Sequence, residues 1–416
     1  MIALFAMIAF VTNLCSPMGV IVKNQFGTTN FMAMIGNYGN FMAYLVMGFP
    51  AGMCIQKYGY KKTALIGLLV GIVGILVQWL SGWGGMAVYL VGALISGCCM
   101  CILNTVVNPM LNLLGGGGNK GNQLIQTGGV FNSSAAVAVY IIMGALIGDA
   151  AKAKIADATP ALMIALAIFV IAFIVIFFTK IEEPVQPKKE TAKQKDEHSA
   201  FSFRHFNLGI LAIGLYGGVE MGIPGFILQY LTAAPDAATP GLAMDAGYAG
   251  TLGSIYFLLM LVGRFIGASV GAKVSTKAMM TFVAGLAIVL LLLGIYLPTS
   301  TTVSVPGIDY TNMVMMWGEV PVGIFCFLLV GLCASVMWGG IFNLATEGLG
   351  KYTAIASGAF MTMVCGFAIM VAVQGWVADI TGSYLTSYWV PLLCAAYILY
   401  YALIGSKNVN TDIPVD

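Results

Sequence analysis

Apolar residues fall in blocks of about 20 along this chain, separated by short polar joints. The blocks run over roughly 2–22, 30–56, 63–82, 86–113, 122–148, 159–179, 206–232, 246–272, 275–297, 319–346, 353–377 and 387–405. Each is close to the length at which a helix crosses a bilayer. The sixth is apolar throughout, as a lipid-facing support helix would be. The least membrane-like stretch is Glu182–His205, which holds ten Asp, Glu, Lys or Arg residues and both histidines. It cuts the chain into parts of about 180 and 210 residues, each with about six apolar blocks. The pattern predicts an all-α membrane protein of twelve transmembrane helices in two six-helix bundles. Residues 1–181 form the first bundle, 182–205 the linker, and 206–416 the second bundle with a short tail.

Composition sharpens this. The chain is 60% hydrophobic and 8% charged, against about 25% charged in soluble domains. The net charge of +2 is carried by short joints without basic–aromatic clusters, which excludes a nucleic-acid surface. No cleavable signal peptide is visible, because the first block lacks a basic start and runs on into polar residues. All nine cysteines lie within apolar blocks. Cys98, Cys99 and Cys101 have no intramembrane histidine beside them, so they read as small packing residues rather than a metal site.

Charge also sets an orientation. With both termini cytoplasmic, the inner joints and tails collect fourteen basic residues, among them Lys57, Lys61, Lys62, Lys120, Lys273, Lys277 and Lys351. The outer joints hold Lys23, Lys152 and Lys154. That asymmetry follows the positive-inside rule and predicts a multi-pass protein of the cytoplasmic membrane. The halves also repeat weakly. Gly52, Lys57, Gly59 and Lys61 follow the second block, and Gly263, Arg264, Gly267, Gly271 and Lys273 close the eighth. This is a candidate gating or inner-joint motif, or ordinary turn chemistry with inside charge.

Polar side chains inside the blocks are costly in lipid and so mark candidate chemistry. Asn104, Asn108 and Asn112 recur every four residues on one helix face, with Pro109 predicting a kink. Amides donate and accept, which suits a hydroxyl-rich ligand, although an interhelical hydrogen-bond ladder would look the same. Asn13 and Ser16 lie in the first block, Asn37, Asn40 and Tyr44 in the second, and Gln126, Asn132 and Ser133 in the fifth. In the second half Trp338, Asn343 and Gln374 stand out. Trp338 could stack on a sugar ring or simply pack. Glu220 lies near the middle of the seventh block, where an ionisable group is a functional hypothesis. A protonated structural glutamate or a partner for Arg264 are the alternatives.

These residues resemble the fucose permease and glucose/galactose transporter branch of the major facilitator superfamily over nearly the whole chain. The resemblance rests on Asn13-Leu14, Thr29-Asn30-Phe31, Pro50-Ala51-Gly52, Asn108-Pro109 and Phe131-Asn132-Ser133 in the first half. In the second half it rests on Tyr216-x-Gly218-x-Glu220, Gly263-Arg264-Phe265, Ile341-Phe342 and Gly375 with Asp379. It implies a sugar site between two bundles and ion-coupled symport by alternating access. Two departures stand out. Ser16 and Asn104 occupy positions where the fucose permease pattern has the acids of its proton route. Neutral oxygens facing a single carboxylate, Glu220, favour Na⁺ over H⁺ as the coupling cation, and both stay open.

The sequence thus predicts a sugar transporter of the cytoplasmic membrane rather than an enzyme, since it shows no Ser/His or Cys/His pair at membrane depth, no metal-ligand spacing and no P-loop.

 A uniporter or an exporter of another small polar solute on the same fold is the alternative. The expected partners are the lipid bilayer and a small sugar, with no cofactor beyond the coupling cation, and the chain is expected to be a monomer. Substrate contacts are assigned to Asn13, Asn37, Asn104, Asn108, Gln126, Asn132, Trp338 and Asn343, and ion coupling to Glu220 and Ser16.

Overall fold

Two backbone reversals that glycine makes at little cost divide the longest helical stretch. In this computed structural model Asn30–Leu114 is helical except at Gly59 (φ 82°) and Gly85 (φ 80°), a region where a side chain would strain the backbone. The stretch is therefore three rods, the second, third and fourth helices. The helix runs on through Pro109 with helical dihedrals. The first helix is Ile2–Phe26, the fifth Gly118–Ile147 and the sixth Thr159–Phe178. The seventh is Arg204–Thr232, the eighth Ala246–Val270 and the ninth Thr276–Tyr296. The tenth, Val322–Thr346, the eleventh, Gly350–Thr381, and the twelfth, Tyr384–Gly405, complete the set. Twelve rods are thus present among the described residues. Eight stretches there are long and apolar enough to cross a membrane, and the longest, Asn40–Leu114, takes in parts of three rods.

The structure describes residues 1–26, 30–147, 154–181, 198–244, 246–309, 314–410 and 412–415, with side chains described outside 12–20, 22–24, 30–39, 136–147, 246–247 and 308–309. Most of the charged linker, 182–197, therefore lies outside the described residues.

Packing divides the chain into two units. The first comprises Met1–Asn207 with Thr346–Cys365 and Asn408–Asp416. In it the start of the eleventh helix lies against the second rod at Gly48, Gly52 and Gly358. A Cβ on Gly52 would come within 2.9 Å of the Ala354 carbonyl and 3.2 Å of the Gly358 Cα. Only residues without side chains allow backbones this close. Phe49 stacks on Phe201 with ring centroids 5.8 Å apart. The tail closes over the same region, with Lys351 N donating to Val415 O (2.9 Å) and Arg204 N to Asn410 Oδ1 (3.0 Å).

The second unit comprises Leu208–Ala345 and Gly366–Lys407. Part of the joint left between the ninth and tenth apolar blocks, 298–318, is here a β-hairpin, β1 (Thr302–Asp309) antiparallel to β2 (Val314–Pro321). The tenth helix accordingly starts at Val322 rather than near 319. Alternating side chains in β2 put Val320 inside and Trp317 outside, a period of two that a loop reading overlooks. The Tyr248 hydroxyl meets the carbonyls of Val305 (2.8 Å) and Gly318 (3.1 Å), which fastens the hairpin to the eighth helix.

Candidate functional site

The first unit gathers neutral polar groups. Asn104 and Asn108 are both buried on the fourth rod, as their spacing requires. Asn104 Nδ2 donates to the Tyr44 hydroxyl at 2.8 Å, joining the fourth rod to the second. Asn108 Nδ2 turns back to the carbonyl of Asn104 at 2.9 Å. This is the side-chain-to-backbone bond that a short polar residue makes within its own helix. Gln126 Nε2 lies 3.5 Å from Asn122 Oδ1 on the fifth helix. Asn132 Nδ2 donates to Phe5 O at 2.8 Å, tying the fifth helix to the first. The side chains of Asn13, Ser16 and Asn37 lie outside the described residues.

The inner-joint residues do different things. Gly59 makes the turn, and its carbonyl accepts from Thr63 Oγ1 at 2.7 Å. Lys61 Nζ donates to Phe177 O (3.0 Å) and Thr179 O (2.8 Å), meeting the exposed carbonyls that end the sixth helix. Lys57 lies over the Tyr58 ring, 5.1 Å from its centroid. Gly52 is the close-packing residue already described. Arg264 is unlike these, because it reaches the interior of the second unit.

There the charged groups meet. Arg264 Nη2 lies 3.9 Å from Glu220 Oε1, with the two side chains only 9% and 14% exposed. The separation is longer than the 2.7–2.9 Å of a direct charge-assisted hydrogen bond, about the upper limit for an ion pair. The pair is thus shielded but not locked. Glu220 sits on a single wide turn, Gly218–Gly222, in which the seventh helix changes from α to π geometry. Tyr216 lies one turn earlier on the same helix.

A second irregularity faces the first. The tenth helix is interrupted at Ser335 and Val336, between Val322–Ala334 and Met337–Thr346. An interruption frees backbone carbonyls, which must find other donors. The Tyr216 hydroxyl donates to Ala334 O at 3.0 Å, and Arg264 Nε donates to Ser335 O at 3.4 Å. Both neighbours of Glu220 therefore also hold the break. Trp338 follows the break, with its ring 6.5 Å from Tyr216 and 6.1 Å from Phe367. Asn343 is elsewhere engaged, donating to Thr276 Oγ1 at 3.0 Å between two buried side chains. Gln374 is fully buried, and its Oε1 has no hydrogen-bond partner among the described residues.

The sequence did not point to Tyr256 or Tyr388, nor to the interruption at Ser335. The cue for the wide turn was Gly217-Gly218 and Gly222 with Pro224 around Glu220, a run poor in helix formers. Among the described residues no group of three His, Cys, Asp or Glu side chains forms that could hold a metal.

Chemically, one cluster offers uncharged donors and acceptors and the other a carboxylate whose counter-charge is held at a distance. Several known proteins share this architecture. The glucose/galactose transporter of Brucella abortus is 30% identical to this chain over 97% of the chain and 93% of that protein. The L-fucose-proton symporter of Escherichia coli is 23% identical over 98% of the chain and 92% of that protein. Among solved structures, the transporter FucP in its outward conformation aligns with a TM-score of 0.79 at 22% identity, covering 98% of this chain and 99% of that one. The proton:xylose symporter XylE aligns with a TM-score of 0.73 at 12% identity over 98% and 95%. The sequence model of the Major Facilitator Superfamily matches residues 1–373. By that match and by its helical architecture, this chain belongs to the Major Facilitator Superfamily.

Proposed function

We propose that this protein carries a hexose or deoxyhexose across the cytoplasmic membrane by alternating access, in symport with a cation. The observation that carries the reading is the shielded Glu220 on its wide turn, 3.9 Å from Arg264. A symporter needs a group whose charge or ligation differs between empty and loaded forms. Glu220 meets that need because its counter-charge attracts it without closing a direct hydrogen bond. The names of the relatives supply the substrate class.

In this reading the amides of Asn104 and Asn108, with the Tyr44 hydroxyl, contact hydroxyls of the sugar. Asn132 and Asn343 hold helices together through the bonds described above. Na⁺ is the favoured cation, since carboxylate and neutral oxygens suit a hard ion and no second acid stands at Ser16 or Asn104. The termini and the linker 182–205 face the cytoplasm, and the protein works as a monomer. A cysteine placed at Ser199 in intact cells resists membrane-impermeant thiol reagents if this orientation holds.

The deciding experiment is uptake of labelled hexoses into proteoliposomes, with Na⁺ and pH gradients imposed separately. Accumulation of a hexose driven by a Na⁺ gradient supports the reading. Accumulation driven by pH alone moves the coupling to H⁺. Equilibration without accumulation under either gradient makes the protein a uniporter and removes Glu220 from the coupling role.

A further inference from the structure

The wide turn that carries Glu220 does not explain itself. The seventh helix is α-helical over Arg204–Gly217 and again over Ile223–Thr232, with π geometry only at Gly218–Gly222. Successive α-helical residues are about 100° apart around the axis. One extra residue in a turn therefore rotates everything beyond it by about that angle. Were the turn to relax to α geometry, Glu220 and the flanking half-helices would lose their present register against their neighbours. Such turns are rare and occur as single insertions, so something outside the helix must hold this one.

Two buried hydroxyls bracket it. Tyr256 of the eighth helix donates to the carbonyl of Val219, the residue before Glu220, at 2.7 Å. Tyr388 of the twelfth donates to the carbonyl of Ile223, just past the turn, at 3.2 Å. Both tyrosines are fully buried. The Tyr388 ring is itself fixed, stacked on Phe327 with centroids 3.8 Å apart and planes within 6°. The glycines fit the same picture, since Gly217 lies against the backbone of Phe367 and Gly222 against the Gln374 amide. A side chain at either would push the turn off its neighbours.

We propose that Tyr256 and Tyr388 are positioning residues: their hydroxyls hold the wide turn of the seventh helix in place and thereby present Glu220 to Arg264. This rests on the coupling role given to Glu220 above. The two tyrosines touch neither sugar nor cation. They act through the backbone, which sets where the carboxylate stands. The phenol ring fills space in either case, so only the hydroxyl is in question, and phenylalanine removes it alone.

The test is Tyr256→Phe, reconstituted beside the unaltered protein, Glu220→Gln and the double variant. Hexose accumulation under an imposed Na⁺ or pH gradient is measured, together with downhill exchange. Tyr256→Phe is expected to lower the accumulation ratio by about tenfold while measurable exchange persists. In the Glu220→Gln background it should lower accumulation no further, because the two changes act on one element. Tyr388→Phe should act in the same direction and more weakly, through the longer bond. A merely structural role predicts lower thermal stability with the accumulation ratio unchanged, and that result overturns the proposal. Additive losses in the double variant overturn it too. If Tyr256→Phe yields no folded protein, Tyr388→Phe decides by the same two comparisons. If Glu220→Gln accumulates hexose like the unaltered protein, the coupling reading falls first and the positioning role falls with it.

Discussion

The amide cluster of the first unit and the charged cluster of the second both bury polar atoms in apolar helices, yet they are built differently. Around Asn104 the helices are regular, and the partners are a tyrosine hydroxyl of the second rod at 2.8 Å and a bond within the fourth rod at 2.9 Å. Around Glu220 two helices are irregular, and each irregularity is held by a side chain from another helix. A neutral amide needs only hydrogen bonds when buried. A carboxylate needs a counter-charge as well, or a proton. The first cluster therefore keeps one state, and the second is able to hold two.

The largest expected effect of breaking this contrast is at Arg264. Arg264→Gln leaves Glu220 shielded without its counter-charge. Removing one partner of a buried pair costs about 3–5 kcal/mol, less where the carboxylate takes up a proton. Thermal unfolding in detergent should show a clear loss of stability. The double variant with Glu220→Gln should recover much of it, since no charge then remains unpaired. Failure of the double variant to recover would mean that Arg264 is held mainly for its bond to Ser335 O, and the contrast between clusters would narrow to geometry.

Next in size is Gly358→Val. Here the first unit is rigid in volume rather than charge, because Gly358 lies against the backbone of Gly48 and Gly52. Overpacking costs about 1–3 kcal/mol where side chains can give way, and backbone gives way less readily. A lowered unfolding midpoint is expected whatever the cation present. An unchanged midpoint would show that the eleventh helix can move away from the second rod at little cost.

How much of this was legible in the sequence follows from what each feature depends on. The helices were readable because a bilayer demands about 20 apolar residues from each, whatever packs beside them. The asparagine face was readable because a period of four fixes a face. It does not fix a partner, so the bond from Asn104 to Tyr44 and the inward turn of Asn108 could not be read. Glu220 was visible as a charge out of place. Its proximity to Arg264 joins residues 44 positions apart, and the wide turn depends on hydroxyls from Tyr256 and Tyr388. The hairpin between the ninth and tenth helices was hidden because Thr, Ser, Val and Pro suit an outer loop as well as a short strand pair.

A smaller effect is expected at the amide cluster. Asn104→Ala removes one donor and leaves the Tyr44 hydroxyl to find another partner. Loss of one such bond weakens sugar binding by about 1 kcal/mol, a factor of about five in affinity. Tyr44→Phe should cost a similar amount, from the other side of the same bond. Neither should change the ratio of cation to sugar transported, because neither alters a charge. A changed ratio in either variant would place the amide cluster in the coupling step and remove the division between the two clusters.

The smallest effect is expected at Lys61, which tests whether charge matters in itself or only when shielded. Its ammonium meets the last carbonyls of the sixth helix, at Phe177 and Thr179, in an exposed setting. A cation at a helix C-terminus contributes about 0.3–1 kcal/mol, and salt screens it. Lys61→Gln removes the charge and keeps an N–H donor of shorter reach. A shift in the unfolding midpoint that shrinks as salt is raised is therefore expected, with gradient-driven accumulation retained. The contrast sharpens if Lys61→Gln accumulates hexose and Glu220→Gln does not, for then position decides rather than charge. If Lys61→Gln abolishes accumulation, a surface charge of the first unit takes part in coupling, and the assignment of that work to the Glu220 cluster is wrong.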